Sequence, residues 1–463
     1  MTFKPLGFSA LLILGMALAT TAQAADTGTG INLEALTRLD LATAQRMALA
    51  DNPSLAAAGE RVGQAAEKVS QAQAAYLPSV DATASATHKR LSDNAHAANL
   101  ATARAIGSPT ATIDDPEDFY SAKLTATWTL FDGFRRHFAT AQARWGKEQS
   151  AASRDETRRL LLASVAQGYY GAQLARENIA IAEAGEAFNQ RQLQEARTRQ
   201  RVGTGSLSDV LNFQIQVNAA RSERINAEAD YRTARIGLAV LMGIPDAHLP
   251  PSIELAPLAP ESEPDMVRPE AAPLIDYALA HRPDTRQSRF ALKQAEAGIG
   301  TARADFLPSV QLAGSFDGDR SNSADFEDGD LGDSVGVYLN VNLFSGGLHR
   351  ARLSEAKRRV AEAEKNLASA EINVASDVQK ALSALSAAQA QLSLQTANAA
   401  LVKQNRDLVE KEYASGQTAL VRLNEAQRDL TQARGRLALA RASLRRAQAD
   451  LDASTGKILV ALE

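Results

Sequence analysis

The chain has 463 residues, of which 45% are hydrophobic, 22% charged and 5% aromatic, and its formal net charge is −4. This balance is typical of a folded chain rather than a disordered one, and the slight acidity gives no support to nucleic-acid binding. Cysteine is absent, which excludes disulfides, thiolate metal sites, a cysteine nucleophile and a lipid-bearing N-terminal cysteine. Scarce aromatic and abundant small side chains favour closely packed helices.

The N-terminus has the pattern of a secretory signal peptide. Lys4 precedes an apolar run over residues 6–19, and a small-residue motif ends at Ala24. The alternative, an N-terminal membrane anchor, needs about 20 apolar residues. We therefore expect residues 1–24 to be removed and the mature protein to be exported.

An internal duplication organises the rest of the chain. Residues 76–80 (Tyr-Leu-Pro-Ser-Val) recur as residues 306–310 (Phe-Leu-Pro-Ser-Val) at a shift of 230, and residues 130–133 (Leu-Phe-Asp-Gly) recur as residues 343–346 (Leu-Phe-Ser-Gly) at a shift of 213. The 17 extra residues of the first copy belong in an exposed loop, because everything on either side stays in register. The expected units are a first repeat over 25–244, an irregular proline-rich connector over 245–273 and a second repeat over 274–463.

Each repeat opens with a helix of about 23 residues, after which apolar and polar side chains alternate, as in half-buried strands. The clearest alternation runs over residues 334–344, where valine and leucine occupy every second position. The four predicted strands cover residues 79–88, 122–131, 309–317 and 334–344.

These strands have the length that a tilted strand needs to cross a bilayer. Aromatic residues near their ends are typical of the interface girdle of an outer-membrane barrel, namely Tyr76, Trp128, Phe131, Phe306 and Phe344. Two hairpins of an ordinary soluble sheet would alternate equally well. If the strands do cross a membrane, several chains must share one barrel, since four strands cannot close one and lipid tolerates no open sheet edge. Three chains would supply 12 strands.

Long proline-free, alanine-rich segments follow each strand pair and predict helices. The expected ranges are 133–201 and 206–242 in the first repeat, and 347–414 and 418–454 in the second, with breaks at Gly203 and Gly416. A helix over 133–201 would be about 100 Å long at ~1.5 Å per residue. A soluble structural or adhesive coiled coil would explain these helices but neither the strands nor the duplication.

No catalytic or metal-binding motif is present, and neither an enzyme activity nor a cofactor is expected. One loop is strongly acidic, and six of its residues fall at the offsets of a calcium-binding loop. However, Asn322 replaces the required glycine and Asp328 replaces the bidentate glutamate. A solvated extracellular loop is expected, and divalent ions shared with surface lipopolysaccharide remain open. The acidic residues are Asp317, Asp319, Asp325, Glu327, Asp328, Asp330 and Asp333.

The chain resembles the TolC family of outer-membrane channels. The resemblance rests on residues 50–55 (Ala-Asp-Asn-Pro-Ser-Leu), 76–80 and 130–133, and on the helix-break signature Val-Gly-x-x-Ser-x-x-Asp-Val-Leu at 202–211. It implies a mainly α-helical homotrimer, with a long helical barrel across the periplasm and a 12-strand β-barrel in the outer membrane. It also implies two partners, a periplasmic adaptor and an inner-membrane exporter of the ATP-driven or proton-driven (ABC or RND) type.

The resemblance further implies a periplasmic end that is closed at rest by tyrosines and charge pairs. Asp209, Tyr413 and Glu425 match such gate positions, whereas Arg422 stands where an acid is usual. We therefore predict a rearranged link between Asp209 and Arg422, against the alternative that both are solvated tip charges. Small-molecule efflux and type I protein secretion both remain open, because the sequence does not identify the cargo.

Overall fold

The computed structural model describes residues 36–107, 109–258, 260 and 266–460; the predicted signal peptide, 1–24, lies outside these residues. Along the described chain the strands are β1 (Arg38–Leu39), β2 (Ser79–Lys89), β3 (Glu117–Phe131), β4 (Glu254–Leu255), β5 (Ser309–Ser321) and β6 (Leu331–Asn340). The helices are α1 (Leu41–Asp51), α2 (Pro53–Ala74), α3 (Asp93–Ile106), α4 (Arg135–Arg201), α5 (Leu207–Leu241), α6 (Ala271–His281), α7 (Pro283–Ala304), α8 (Leu348–Ala414) and α9 (Leu420–Thr455).

The two longest helices, α4 and α8, have 67 residues each. Each spans about 100 Å at ~1.5 Å per residue. Shorter helices pack along them. Helices α2 and α5 pack against α4, and helices α7 and α9 pack against α8. The first half joins the second where α4 packs against α7 and α9. No described helix combines the length and the apolar character that a membrane span requires.

Asn52 separates α1 from α2. Its side chain accepts a hydrogen bond from the Ser54 amide at 2.9 Å, and Pro53 takes the first helical position, where no amide hydrogen is needed. The Asn52 amide group also donates to the Leu241 carbonyl at 2.9 Å, at the end of α5. This hydrogen bond joins the α1–α2 junction to the C-terminal end of α5.

The four long strands form one antiparallel sheet in the order β2-β3-β5-β6. Strand β3 begins at Glu117, five residues before the predicted start, because β2 continues to Lys89 and pairs with it there. Strand β6 ends at Asn340, so the prediction of a strand to residue 344 is wrong for the single chain. Its partner β5 begins at Ser309, which pairs with Asn340 and leaves nothing opposite residues 341–344.

Two features were not expected from the sequence. The loop between β2 and β3 contains α3, whose N-cap Ser92 accepts a hydrogen bond from the Ala95 amide at 3.3 Å. The connector over 245–273 is not wholly irregular, since β4 pairs in parallel with β1 and α6 begins inside it at Ala271.

The largest buried cluster lies where β1 and β4 cross the long helix α4. The Tyr169 hydroxyl donates to the Leu39 carbonyl at 3.1 Å, and the Gln173 side chain donates to the Ala256 carbonyl at 2.7 Å. Burial raises the pKa of the Tyr169 phenol to about 12. Met47 and Leu238 complete the apolar packing. The connector is therefore attached to the middle of the helical body.

Candidate channel wall and gate

One face of the sheet is apolar and exposed in the single chain. Val335, Val337 and Leu339 are 79%, 66% and 67% exposed. The register places Trp128 beside Leu312 and Leu312 beside Val337, so that apolar side chains align across three strands. A soluble protein would bury such a face in its core, whereas a membrane β-barrel exposes it to lipid.

The predicted girdle residues gather at the end of the sheet nearest the helices. The Trp128 indole donates to the Tyr76 carbonyl at 3.0 Å, and Phe306 meets the His349 ring edge-on at 5.6 Å between ring centroids. Phe131 is half-buried, and Phe344 is 87% exposed. The structure thus brings Tyr76 and Trp128 together and leaves Phe344 without a described ring contact. Their position in a membrane stays a prediction.

An aromatic residue at the opposite end of the sheet, Phe119, was missed by sequence reasoning. Its side chain is 39% exposed, and it pairs with Ser321 at the end of β5. Twelve residue steps separate Phe119 from Phe131 along β3, or about 40 Å at ~3.3 Å per residue. At a tilt of about 40° this distance spans about 30 Å, the thickness of a hydrocarbon core. The position of Phe119 just before the alternating run over 122–131 was the available signal.

Arg136, also missed, fastens the sheet to the helices. Its guanidinium donates to the carbonyls of Thr129 at 2.7 Å and Leu130 at 3.1 Å, and to the Asp132 carboxylate at 3.1 Å. The same group lies 4.9 Å from the centre of the Tyr76 ring. A planar group with five donors suits this role, because several carbonyls at the end of a strand need partners at once.

A second ionic cluster joins three helices just below the sheet. Asp305 is the C-cap residue of α7, and its carboxylate accepts hydrogen bonds from Arg135 at the start of α4 and from Arg352 of α8, the latter at 3.2 Å. The His349 ring lies 3.6 Å away. These contacts therefore connect α4, α7 and α8 to one another at the end of the helical body next to the sheet.

At the far end of the long helices, both predicted breaks have the same geometry. Gly203 and Gly416 adopt φ values of +79° and +76°. After each glycine the next amide reaches back to a carbonyl, from Thr204 to Arg199 at 2.9 Å and from Gln417 to Glu412 at 2.9 Å. This pattern is a Schellman motif, which requires a left-handed residue and so favours glycine. Ser206 is the N-cap of the following helix α5, and its hydroxyl accepts a hydrogen bond from the Ser208 amide at 2.9 Å.

Tyr413 connects the two breaks within one chain. Its ring meets Phe213 edge-on at 6.3 Å between centroids, and the Arg199 guanidinium lies 5.2 Å from the ring centre. Burial, and then the negative charge of Asp209, raise the pKa of the Tyr413 phenol. Nearby, the Asn424 side chain donates to Asn212 at 2.9 Å. The tips of α4 and α5 are therefore fastened to those of α8 and α9.

The structure does not bring all four predicted gate residues together. Asp209 lies in the first turn of α5, where a negative charge is favourable, and it is half-buried. Arg422 and Glu425 are exposed. Within the described chain, no ion pair joins Asp209 to Arg422. A link between them would have to form between chains or in another state. Arg199, Phe213, Asn212 and Asn424 were missed because their roles depend on contacts between repeats.

The acidic loop is organised by an arginine. Arg320 donates to Glu327 at 3.0 Å and to Asp330 at 3.2 Å, and Asp330 also accepts from the Glu327 amide at 2.8 Å. Asn322 connects this loop to the loop between β2 and β3, since its side chain donates a hydrogen bond to the Asp114 carboxylate at 3.0 Å. Among the described residues no group of three His, Cys, Asp or Glu side chains has the geometry to hold a metal ion.

Comparison with known proteins identifies the family. The outer membrane efflux protein model matches residues 44–244 and 274–457, one segment in each repeat. The chain therefore belongs to the outer membrane efflux protein family, which is a family of outer-membrane transport proteins rather than of enzymes. The TolC resemblance is confirmed, and a periplasmic structural coiled coil finds no support.

Individual relatives agree with this assignment. The alkaline protease secretion protein AprF of Pseudomonas aeruginosa is 32% identical over 254 residues, which are 53% of this chain and 50% of AprF. Protein CyaE of Bordetella pertussis is 28% identical over 320 residues, 69% of this chain and 63% of CyaE. The matched segments thus span about half to two-thirds of these relatives.

A solved structure shows the same fold. The CmeC outer membrane channel of Campylobacter jejuni superposes with a TM-score of 0.74 at 18% identity, covering 90% of this chain and 85% of that one. The mainly α-helical tandem repeat with a small β part is thereby confirmed.

Proposed function

We propose that three copies of this chain form a channel across the outer membrane, through which substrates leave the periplasm passively. The observation that carries the proposal is the four-stranded sheet with an exposed apolar face and two edges, β2 and β6, that have no partner strand in the described chain. Open edges are incompatible with lipid, and three such sheets make the 12 strands of a closed barrel. The helices would continue the duct for about 100 Å into the periplasm.

The helix breaks are the proposed gate. At the tip, burial and then the negative charge of Asp209 raise the pKa of Tyr413, and the two repeats are connected there by the contact of Phe213 with Tyr413 and by the Asn212–Asn424 hydrogen bond. Glu425 and Arg422 remain exposed at the same end, where they are available to a neighbouring copy or to a partner. We infer that a periplasmic adaptor binds this end and that an inner-membrane exporter supplies the energy.

The chain itself carries out no chemistry in this proposal, and it needs neither a metal nor a cofactor. Its residues act by position. The girdle residues Tyr76, Trp128, Phe131, Phe306 and Phe344 would hold the barrel at the level of the lipid head groups, and Gly203 and Gly416 would let each long helix turn back at the tip.

Two cargo classes have support. Similarity to AprF, whose name records alkaline protease secretion, favours protein export of the type I class. The family's efflux designation favours small molecules. Deletion of the gene separates the two: loss of a secreted polypeptide from the medium supports the first, and accumulation of a small toxic compound in the cell supports the second.

The channel itself is tested on the purified protein. It is extracted from outer membranes in detergent, its mass is measured, and single-channel currents are recorded in a planar bilayer. We expect three times the chain mass and discrete conductance steps. A monomer without conductance would overturn the proposal.

A further inference from the structure

The internal repeat extends to the pairing of individual residues in the sheet. In the first hairpin Ser79 pairs with Thr127, and in the second Ser309 pairs with Asn340. The second pair follows from the first when the first strand is shifted by 230 and the second strand by 213, the same shifts that relate the two halves of the sequence. The two hairpins therefore have one register, in spite of the longer loop in the first.

A third seam, between β3 and β5, joins one hairpin to the next. Here Leu124 pairs with Phe316, and Tyr120 pairs with Arg320. In the described chain, the two strands of this sheet that have an open edge are β6 and β2, which are the repeat equivalents of β3 and β5. A second copy that approaches in the same way would pair its β2 with this β6, antiparallel.

From these pairings we infer the register between neighbouring copies: Val337 lies opposite Ala86, Leu339 opposite Ala84 and Asp333 opposite Arg90 of the next chain. The inference rests on the proposed function, since it assumes that copies of the chain share one barrel. It adds which residues meet at the subunit boundary. The same seam repeated three times closes the sheet with cyclic symmetry.

The faces of the two strands agree with this register. Val335, Val337 and Leu339 form the apolar face of β6, Val341 continues this alternation beyond its end, and Ala82, Ala84 and Ala86 form the apolar face of β2. A shift by one residue would turn one apolar face inward, because side chains alternate along a strand. The inferred pairing also sets large side chains of β6 against small ones of β2, so that neither crowds the other.

The short end of β6 is a second, independent observation. Residues 341–344 have no strand partner, and Leu343 and Phe344 are 92% and 87% exposed. Their equivalents at the end of β3 are in a strand only because β5 pairs with them, since β2 stops at the Ser79–Thr127 pair. In the inferred register, β2 of the next copy supplies the missing partner for residues 341–344.

Charge at the outer end is also complementary. Lys89 ends β2 and Arg90 follows it directly, whereas Asp333 is the third residue of β6, just after the acidic loop. Neither Arg90 nor Asp333 has an ion-pair partner among the described residues. In the inferred register Arg90 reaches Asp333 of the neighbouring copy on the same face of the sheet.

Disulfide cross-linking tests the register, because the natural chain has no cysteine. Two double variants carry the inferred pairs, Ala86→Cys with Val337→Cys and Ala84→Cys with Leu339→Cys. Two controls exchange the partners of the same four positions, 86 with 339 and 84 with 337, and thus keep the face but shift the register by two residues. Facing positions lie within about 5.5 Å and shifted ones about 7–8 Å apart, and a disulfide needs Cα atoms closer than about 7 Å.

A link inside one chain is excluded, because three strand spacings, about 14 Å, separate β2 from β6. After mild oxidation of the trimer in detergent, non-reducing gels should show covalent trimers for the inferred pairs, at least fivefold more than for the controls. Each reduced variant is first checked for trimer mass and conductance.

The outcomes separate the two proposals. Equal or stronger linking of the shifted pairs in an intact, conducting trimer would overturn the register and leave the channel standing. A natural chain that is monomeric in detergent, with no linking by any variant, would overturn both.

Discussion

Gly243 is a position where a single added methyl group should be costly, because it would meet backbone atoms. It ends α5 in a Schellman motif, with φ at +79° and the Ile244 amide donating to the Ala239 carbonyl at 3.0 Å. A Cβ built there would lie 2.4 Å from the Asp51 carbonyl oxygen and 2.8 Å from the Asn52 nitrogen. Both are backbone atoms at the junction of α1 and α2, so no side-chain rotation relieves the clash.

Gly203 is a matched control for this substitution. It has the same φ of +79° and the same motif, but nothing lies within 4 Å of an added Cβ. Gly203→Ala should therefore cost only the left-handed backbone strain, about 1–2 kcal/mol. Gly243→Ala should add an overpacking cost of about 1–3 kcal/mol, for a total of about 2–5 kcal/mol.

The two variants are compared by urea unfolding in detergent, followed by far-ultraviolet circular dichroism. We expect Gly243→Ala to lower the free energy of unfolding clearly more than Gly203→Ala, with the denaturant slope unchanged. Equal losses in both variants would refute the reasoning, because backbone strain alone would then account for both.

Three further predictions concern the gate, the middle of the helical body and the sheet. The double variant Asp209→Ala, Arg422→Ala should raise the conductance of the closed channel in planar bilayers, and an unaltered closed-state current would remove the proposed link. The folded state raises the pKa of Tyr169 to about 12. The contribution of this buried, neutral phenol to the free energy of unfolding is therefore complete below about pH 10 and is lost as pH rises through 12, roughly 3 kcal/mol in all. Tyr169→Phe should flatten the dependence of unfolding free energy on pH in this window, and an unchanged slope would contradict the assignment. Arg136→Ala should lower the free energy of unfolding by about 1–3 kcal/mol, since several strand-end carbonyls lose their donor. Arg136→Lys, which keeps the charge but not the planar fork, should recover only part of that loss in the same urea assay, and full recovery would show that charge alone matters.

Strand ends were the least predictable part of the fold. Residues 341–344 alternate as well as residues 334–340, yet only the latter form a strand, because a strand needs a hydrogen-bonding partner as well as a pattern. In the same way β3 extends back to Glu117 because β2 reaches Lys89. The helix α3 lies within a loop where the sequence shows no apolar periodicity, and it buries no residue that could have produced one.

At the proposed gate, too, local features were predictable from the sequence and long-range contacts were not. Gly203 and Gly416 were predictable, since a left-handed backbone after a long helix favours glycine wherever the chain folds. The surroundings of Tyr413 were not, because Arg199 and Phe213 come from another repeat about 200 residues away in the chain.

By itself the sequence determined the duplication, the long helices, the alternating strands and the positions of the breaks, because each of these depends on residue type and local spacing. Only the tertiary structure decided which helices pack together, the register of the sheet and its two open edges, and the pairing of Arg136 with the strand ends. These features depend on contacts between distant segments, and such contacts leave no periodic signal in a single chain.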